Sequence, residues 1–318
     1  MGFAIMCSGG DAAGMNPAIK RFVEYVDELG YQPWLIYDGL EGLIDDRIEK
    51  AKFSDISGII HRGGTVIRTS RSKRFFEYEW RKVAYDNLMR KGINKLVVLG
   101  GDGSFRALNQ FYHDFDIPFA GVPSTIDNDI YGTEYCLGVD TALNVIRTSI
   151  DEIRDTAYSF KRAFVVEVMG RDCGYLALIS ALTSGAEALL IPELDYDLVA
   201  MEERFRRQLH EGRGYFIAVV AEGVKKSHEM VELFERIGVE SRLTVLGHIQ
   251  RGGSPTVTDR LMAFEFTTAA VDALVAGHVN SVVVYRNGVY DYVTIEEINA
   301  QKYQIDPDLL ALGAKLTR

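Results

Sequence analysis

The feature that most constrains this chain is a regular alternation. Short apolar runs of strand length end in glycine-rich or polar turns, and helix-length amphipathic segments follow. Phe3–Cys7, Pro33–Tyr37, Lys95–Leu99, Phe119–Val122, Ala163–Val168, Ala188–Ile191, Tyr215–Ala221 and Ser281–Tyr285 read as buried strands. Asn16–Leu29, Val83–Lys91, Asp140–Ile153, Tyr175–Leu182, Val199–His210 and Asp259–Ala276 read as helices between them. Strands that are apolar at nearly every position have no solvated face, which is the pattern of parallel sheets covered by helices. The alternation therefore predicts an α/β, doubly wound architecture with mostly parallel sheets. With 318 residues the chain can bury a substantial core, as one large domain or two intertwined ones. No low-complexity linker separates the segments, so any domain boundary is tight.

Charge and apolar patterning narrow the partners. No apolar run approaches the ~20 residues that span a bilayer, so no membrane partner is expected. Met1–Cys7 reads as a strand rather than a signal peptide, and Met6 stands where a myristoylation signal needs Ser or Thr. The expected location is the cytoplasm, where Cys7, Cys136 and Cys173, odd in number and without metal-ligand spacing, read as free thiols. A formal net charge of −10 argues against nucleic acid as a partner. An anionic substrate would need arginines gathered locally against that field.

Ligands of open α/β sheets sit beyond the carboxyl ends of the strands, and here the turns at those ends carry the unusual residues. Ser8-Gly9-Gly10-Asp11-Ala12-Ala13-Gly14-Met15-Asn16 follows the first strand and fits neither the Walker nor the dinucleotide spacing. It is either a tight turn or a cradle whose backbone N–H groups approach an anion at a helix start. Gly100-Gly101-Asp102-Gly103-Ser104 places a carboxylate among glycines, which suits Mg²⁺ held by one or two carboxylates and phosphate oxygens. The alternative is a plain helix cap. In Pro123-Ser124-Thr125-Ile126-Asp127-Asn128-Asp129, an extended backbone would point both carboxylates the same way, one as a general base and the other toward metal or orientation. A simple acidic turn is the alternative. Gly247–Pro255 presents His248 and Arg251 on a glycine-bounded turn suited to a phosphate monoester. Arg171, after Met169 and Gly170, and Arg71, in Arg62–Arg71, are two further arginines that join this set.

Taken in order, these turns resemble the 6-phosphofructokinases, and the resemblance covers essentially the whole chain. Gly247–Pro255 is the most specific match, and Gly138–Ala142 and Val168–Arg171 are further counterparts. The resemblance implies two αβα sandwich domains of the phosphofructokinase type. One is a larger nucleotide-binding domain of residues 1–138 plus 252–304. The other is a smaller sugar-phosphate-binding domain of residues 139–251 plus 305–318. It implies transfer of the γ-phosphoryl group of Mg-ATP to the 1-hydroxyl of fructose 6-phosphate. Asp127 would be the base, Thr125 would lie beside the transferred group, and Arg71 and Arg171 would neutralise charge. Gly10, Arg71, Gly101, Asp102, Gly103 and Ser104 would bind the donor, with Mg²⁺ on Asp102 helped by Asp129. Met169, Gly170 and Glu222 would contact the sugar, and His248 and Arg251 would grip the 6-phosphate, joined by Arg162 and Arg242 of a neighbouring subunit in a homotetramer. Lys20, Arg154, Gly185, Glu187 and Arg213 would form an effector site.

The chain also departs from the family pattern. Gly103 is shared with ATP users, whereas pyrophosphate users carry aspartate there, and Ser124 matches neither group. Leu40, Ser72 and Ala107 replace residues that usually surround the nucleotide base. Glu24 and Glu211 stand at basic effector positions, and Tyr215 at a histidine. The alternatives are a pyrophosphate-dependent enzyme, a kinase of another sugar phosphate such as sedoheptulose 7-phosphate, and a non-catalytic regulatory paralogue. Intact Asp102, Thr125, Asp127 and Arg171 argue against the last.

Overall fold

In the computed structural model, which describes residues 2–317, the elements follow in chain order. They begin with β1 (Gly2–Cys7), α1 (Met15–Glu28), β2 (Gln32–Ile36), α2 (Gly39–Ile44), β3 (Ile48–Lys50), α3 (Tyr78–Lys91), β4 (Ile93–Gly100), α4 (Asp102–Phe115) and β5 (Phe119–Pro123). Then come α5 (Val139–Phe160), β6 (Ala163–Val168), α6 (Tyr175–Ser184), β7 (Ala188–Leu190), α7 (Leu198–His210), β8 (Phe216–Ala221), α8 (Ser227–Arg236) and β9 (Ser241–Val245). The chain ends in α9 (Val257–Ala276), β10 (Ser281–Arg286), β11 (Val289–Thr294), α10 (Ile295–Ala300) and α11 (Pro307–Gly313).

Two compact units result. The first comprises Met1–Ile126, Ile130–Thr141 and Arg251–Tyr303, and the second Asp127–Asp129, Ala142–Gln250 and Gln304–Arg318. The first is built on a seven-stranded sheet of order β11-β10-β5-β4-β1-β2-β3. Its five central strands run parallel, and β3 and β11 close the two edges antiparallel. The second holds a four-stranded, wholly parallel sheet of order β7-β8-β6-β9.

Every residue of β1, β5, β7 and β8 is buried, so both faces of each sheet are covered. Phe205, Phe216 and Phe234 meet at centroid separations of 5.0–5.6 Å in the core of the second unit. Such rigid, fully buried strands fix the positions of the turns at their carboxyl ends.

In the first unit, α5 and α9 start side by side. Buried Asp259 accepts hydrogen bonds from the backbone N–H groups of Gly138 and Thr141, each at 2.8 Å, and from the Thr141 hydroxyl. The N-cap Thr256 donates its hydroxyl to Asp140 at 2.5 Å. Orphan donors at the start of α5 are thus satisfied by a carboxylate from another helix.

Candidate active site

In the first unit, the ends of β1, β4 and β5 lie side by side because these strands are parallel neighbours in register. The Ser8 N–H donates to the Leu99 carbonyl at 2.9 Å, and the Ser124 N–H to the Gly100 carbonyl at 2.8 Å. The Ser104 hydroxyl donates to Ser8 Oγ at 2.9 Å, tying the two glycine-rich turns together. Thr125 reaches the same place: a Cβ on Gly101 would lie 3.8 Å from its Cβ. A Cβ on Gly103 would meet nothing within 4 Å, so α4 is open at that position.

Other side chains order this region. Thr69 donates its hydroxyl to the Gly9 carbonyl at 2.9 Å, and the Gly9 N–H reaches the Ser70 carbonyl at 3.4 Å. Exposed Arg71 therefore follows a segment laid on the first glycine turn. Buried Asn16 donates to the carbonyls of Arg62 and Gly63 at 2.9 and 3.2 Å and accepts from the Val66 N–H at 2.7 Å. Asp102 is held by Arg106, with a closest approach of 2.6 Å. Leu40 and Ser72 are both buried, and the Ser72 hydroxyl accepts from the Phe75 N–H at 3.1 Å.

In the second unit, Asp127 is 2% exposed and its Oδ2 lies 3.1 Å from Arg171 Nε. Arg171 sits in the left-handed region at φ +51°, and its N–H donates to Glu222 Oε1 at 3.0 Å. Gln250 accepts from the Met169 N–H at 3.1 Å and donates to the Gly247 carbonyl at 2.9 Å, joining two of the predicted turns. His248 is exposed on the short 3-10 turn Gly247–Arg251. Arg162 and Arg242 both pair with Glu240, Arg162 at 2.7 Å.

One expectation is corrected. The segment after Thr125 is not extended: Asn128 adopts φ +52°, which turns the backbone between the two carboxylates. Asp127 is buried and Asp129 exposed, so they do not point the same way.

Thiol chemistry has no support. Burial pushes the Cys7 and Cys173 thiols up to about 12, so both stay protonated at neutral pH. Among the described residues, no group of three or more His, Cys, Asp or Glu side chains forms a metal cage. Asp102 still offers a hard oxygen donor beside an open helix start, which fits Mg²⁺ arriving with phosphate oxygens and water.

Glycine-rich turns at the strand ends of the first unit, and a buried carboxylate–arginine pair at a strand end of the second, are features that a phosphoryl-transfer class of protein uses. Residues 2–274 match the family model described as Phosphofructokinase. The chain belongs to the phosphofructokinase family. It is 59% identical over 312 residues to the ATP-dependent 6-phosphofructokinase of Sulfurovum sp., covering 98% of this chain and 95% of that one. It is 52% identical over 318 residues to the protein of the same name from Wolinella succinogenes, covering 99% of each. Among solved structures, phosphofructokinase from Saccharomyces cerevisiae matches with a TM-score of 0.88 and 32% identity, over 93% of this chain and 45% of that one. A pyrophosphate-dependent phosphofructokinase from Marinobacter aquaeolei matches with a TM-score of 0.83 at 21% identity, over 96% of this chain and 86% of that one, a likeness of fold.

Proposed function

We propose that this chain transfers the γ-phosphoryl group of Mg-ATP to the 1-hydroxyl of fructose 6-phosphate, giving fructose 1,6-bisphosphate and ADP. The observation that carries the reading is the buried Asp127 carboxylate paired with Arg171 at a strand end. It occurs in a chain that is 52–59% identical to named ATP-dependent 6-phosphofructokinases.

The residues take the following parts. Asp127 accepts the proton as the 1-hydroxyl oxygen bonds to the γ-phosphorus and the bond to ADP breaks. Arg171 holds that carboxylate and, with Arg71, meets the negative charge spread over the moving phosphoryl oxygens. Phosphoryl transfer depends on positioning and electrostatics rather than covalent chemistry. Gly10, Gly101, Gly103, Ser104 and Thr125 line the donor phosphates. Asp102 is the side chain that would hold Mg²⁺, with Asp129 assisting; when bound, the ion neutralises phosphate charge. Met169, Gly170 and Glu222 face the sugar, and His248 and Arg251 bind its 6-phosphate. Most donor-binding residues belong to the first unit and most sugar-binding residues to the second, although Arg251 belongs to the first.

The assembly is a homotetramer in the cytoplasm in which Arg162 and Arg242 serve a neighbouring subunit's 6-phosphate. Support for this is the position of half-buried Arg162 and exposed Arg242 around a single carboxylate, Glu240, which leaves two guanidinium groups to one counter-charge.

ATP rather than pyrophosphate is the donor because Gly103 leaves the α4 start open, where an aspartate would add a negative charge facing the donor. A coupled assay with fructose 6-phosphate and either Mg-ATP or pyrophosphate tests this. Faster turnover with Mg-ATP at matched saturation is the expected result; faster turnover with pyrophosphate overturns the donor assignment. Absence of turnover with either overturns the reading itself.

A further inference from the structure

Gly10 has a backbone that any residue could adopt, since it is not among the glycines at positive φ. An alanine there would also keep the N–H that serves the donor. Space constrains this position as long as the flexible Arg251 side chain keeps its place. A Cβ at Gly10 would lie 2.0 Å from Arg251 Nη1, 3.0 Å from its Cζ and 3.4 Å from Nη2. The Arg251 guanidinium occupies the volume that a side chain at position 10 would fill.

The anchors of this turn lie in the residues that follow Arg251. The Gly253 carbonyl is pressed against Gly63, where a Cβ would approach it to 2.3 Å. Arg260 donates to the Pro255 carbonyl and the Ser254 hydroxyl at 2.8 and 2.9 Å. The side chain itself makes no hydrogen bond or ion pair among the described residues, and its Nε is buried without an acceptor. A long side chain without polar anchors loses rotamer freedom when it binds a ligand, unless packing has already restricted it.

We infer that Gly10 is the seat of Arg251, so that the first glycine turn positions the guanidinium for the sugar phosphate as well as cradling the donor. The inference rests on the reading of Arg251 as a 6-phosphate ligand. Gly10 acts here as a positioning residue through the space it leaves empty.

Three variants test it: Gly10→Ala, Arg251→Ala and the double variant, with KM for fructose 6-phosphate and for ATP and the thermal midpoint measured for each. Arg251→Ala alone should raise KM for fructose 6-phosphate at least about tenfold, the loss of one charge-assisted phosphate contact. If it does not, the reading of Arg251 fails whatever Gly10 does. Gly10→Ala should raise the same KM by a similar factor while KM for ATP moves less than about threefold. The double variant should match Arg251→Ala within about twofold, because the alanine has nothing left to displace.

If the two single effects multiply in the double variant, or Gly10→Ala raises KM for ATP as much as that for the sugar, the seat is overturned while the Arg251 reading stands. The same follows if Gly10→Ala has no effect. Should Gly10→Ala fail to fold, a double variant that regains the thermal midpoint of Arg251→Ala supports the seat, and one that remains unfolded refutes it.

Discussion

Asp127 shows how much chemistry a single position can gather. Its carboxylate is almost wholly buried, and its neighbour Arg171 is more than half exposed, with a side chain 54% accessible. The pair therefore places an acceptor for a proton behind a cation that still faces solvent. Arg171 reaches it only because its own backbone is turned into the left-handed region and pinned by Glu222. A carboxylate replaced by serine keeps a polar group at the site but removes the proposed base. Asp127→Ser should lower kcat by about 10²–10⁴-fold, with KM for fructose 6-phosphate within a few-fold of the parent. Steady-state kinetics on the purified variant decide it, and near-normal turnover would remove Asp127 from the role of base.

At the scale of elements, the apolar strands were legible, edge strand β7 included, and the polar edge strands were not. β3, β9 and β11 lie at sheet edges, and none of them stands out as an apolar run in the sequence. An edge strand with a solvated side carries polar residues, as Ser241-Arg242-Leu243-Thr244-Val245 and Val289-Tyr290-Asp291-Tyr292-Val293-Thr294 do. The strand-end turns were legible as glycine-framed motifs, but the side chains that hold them were not. Gln250 reaches Met169 across 81 residues, and Asn16 reaches Arg62 and Val66 across 46 and 50. A buried amide looks the same in a sequence as an exposed one.

Asp259 belongs with these hidden supports, and it gives the start of α5 a pH signature. Burial pushes its carboxyl from 3.8 up to about 6, and nearby Asp140 adds to the rise, although the hydrogen bonds from Thr141 and Gly138 pull it down. The folded protein therefore holds this proton more tightly than the unfolded chain, so this group's contribution to stability falls as pH rises from about 4 to about 6. Asp259→Asn removes the titration along with the acceptor. The parent's advantage over the variant should be larger at about pH 4.5 than at about pH 7.5, by about 2 kcal/mol. Urea unfolding at the two pH values measures it, and an advantage that grows toward pH 7.5 would contradict the assignment.

For the whole molecule, the question is whether an anionic effector can find a foothold on a surface of formal charge −10. Such a ligand shifts an equilibrium only through a difference in affinity between two states. That difference must come from cations free to meet its phosphate. The resemblance points to Lys20, Arg154 and Arg213, and each is already engaged within the chain. Lys20 pairs with Glu24 one turn along α1, where a second cation would otherwise reinforce it. Arg213 pairs with Glu187, whose carboxyl burial pushes above the ordinary range, and which also accepts from the Ile217 N–H. Arg154 donates to the Ser184 carbonyl and lies over the Tyr215 ring, 5.8 Å from its centroid. A phosphate group must therefore displace these partners before it gains a charge-assisted bond of about 1.5–3 kcal/mol. Glu24 and Glu211 add repulsion, and two such positions suffice to cancel a coupling of about 1–3 kcal/mol. The response to ADP and to phosphoenolpyruvate should accordingly be attenuated. Saturation curves for fructose 6-phosphate, with and without millimolar phosphoenolpyruvate and again with ADP under excess ATP, should nearly superimpose. Replacing Glu24 by Arg should then separate them, because it frees Lys20 and adds a second cation on the same helix face. A large shift of the half-saturation point in the parent enzyme would show that the paired cations remain available to the effector.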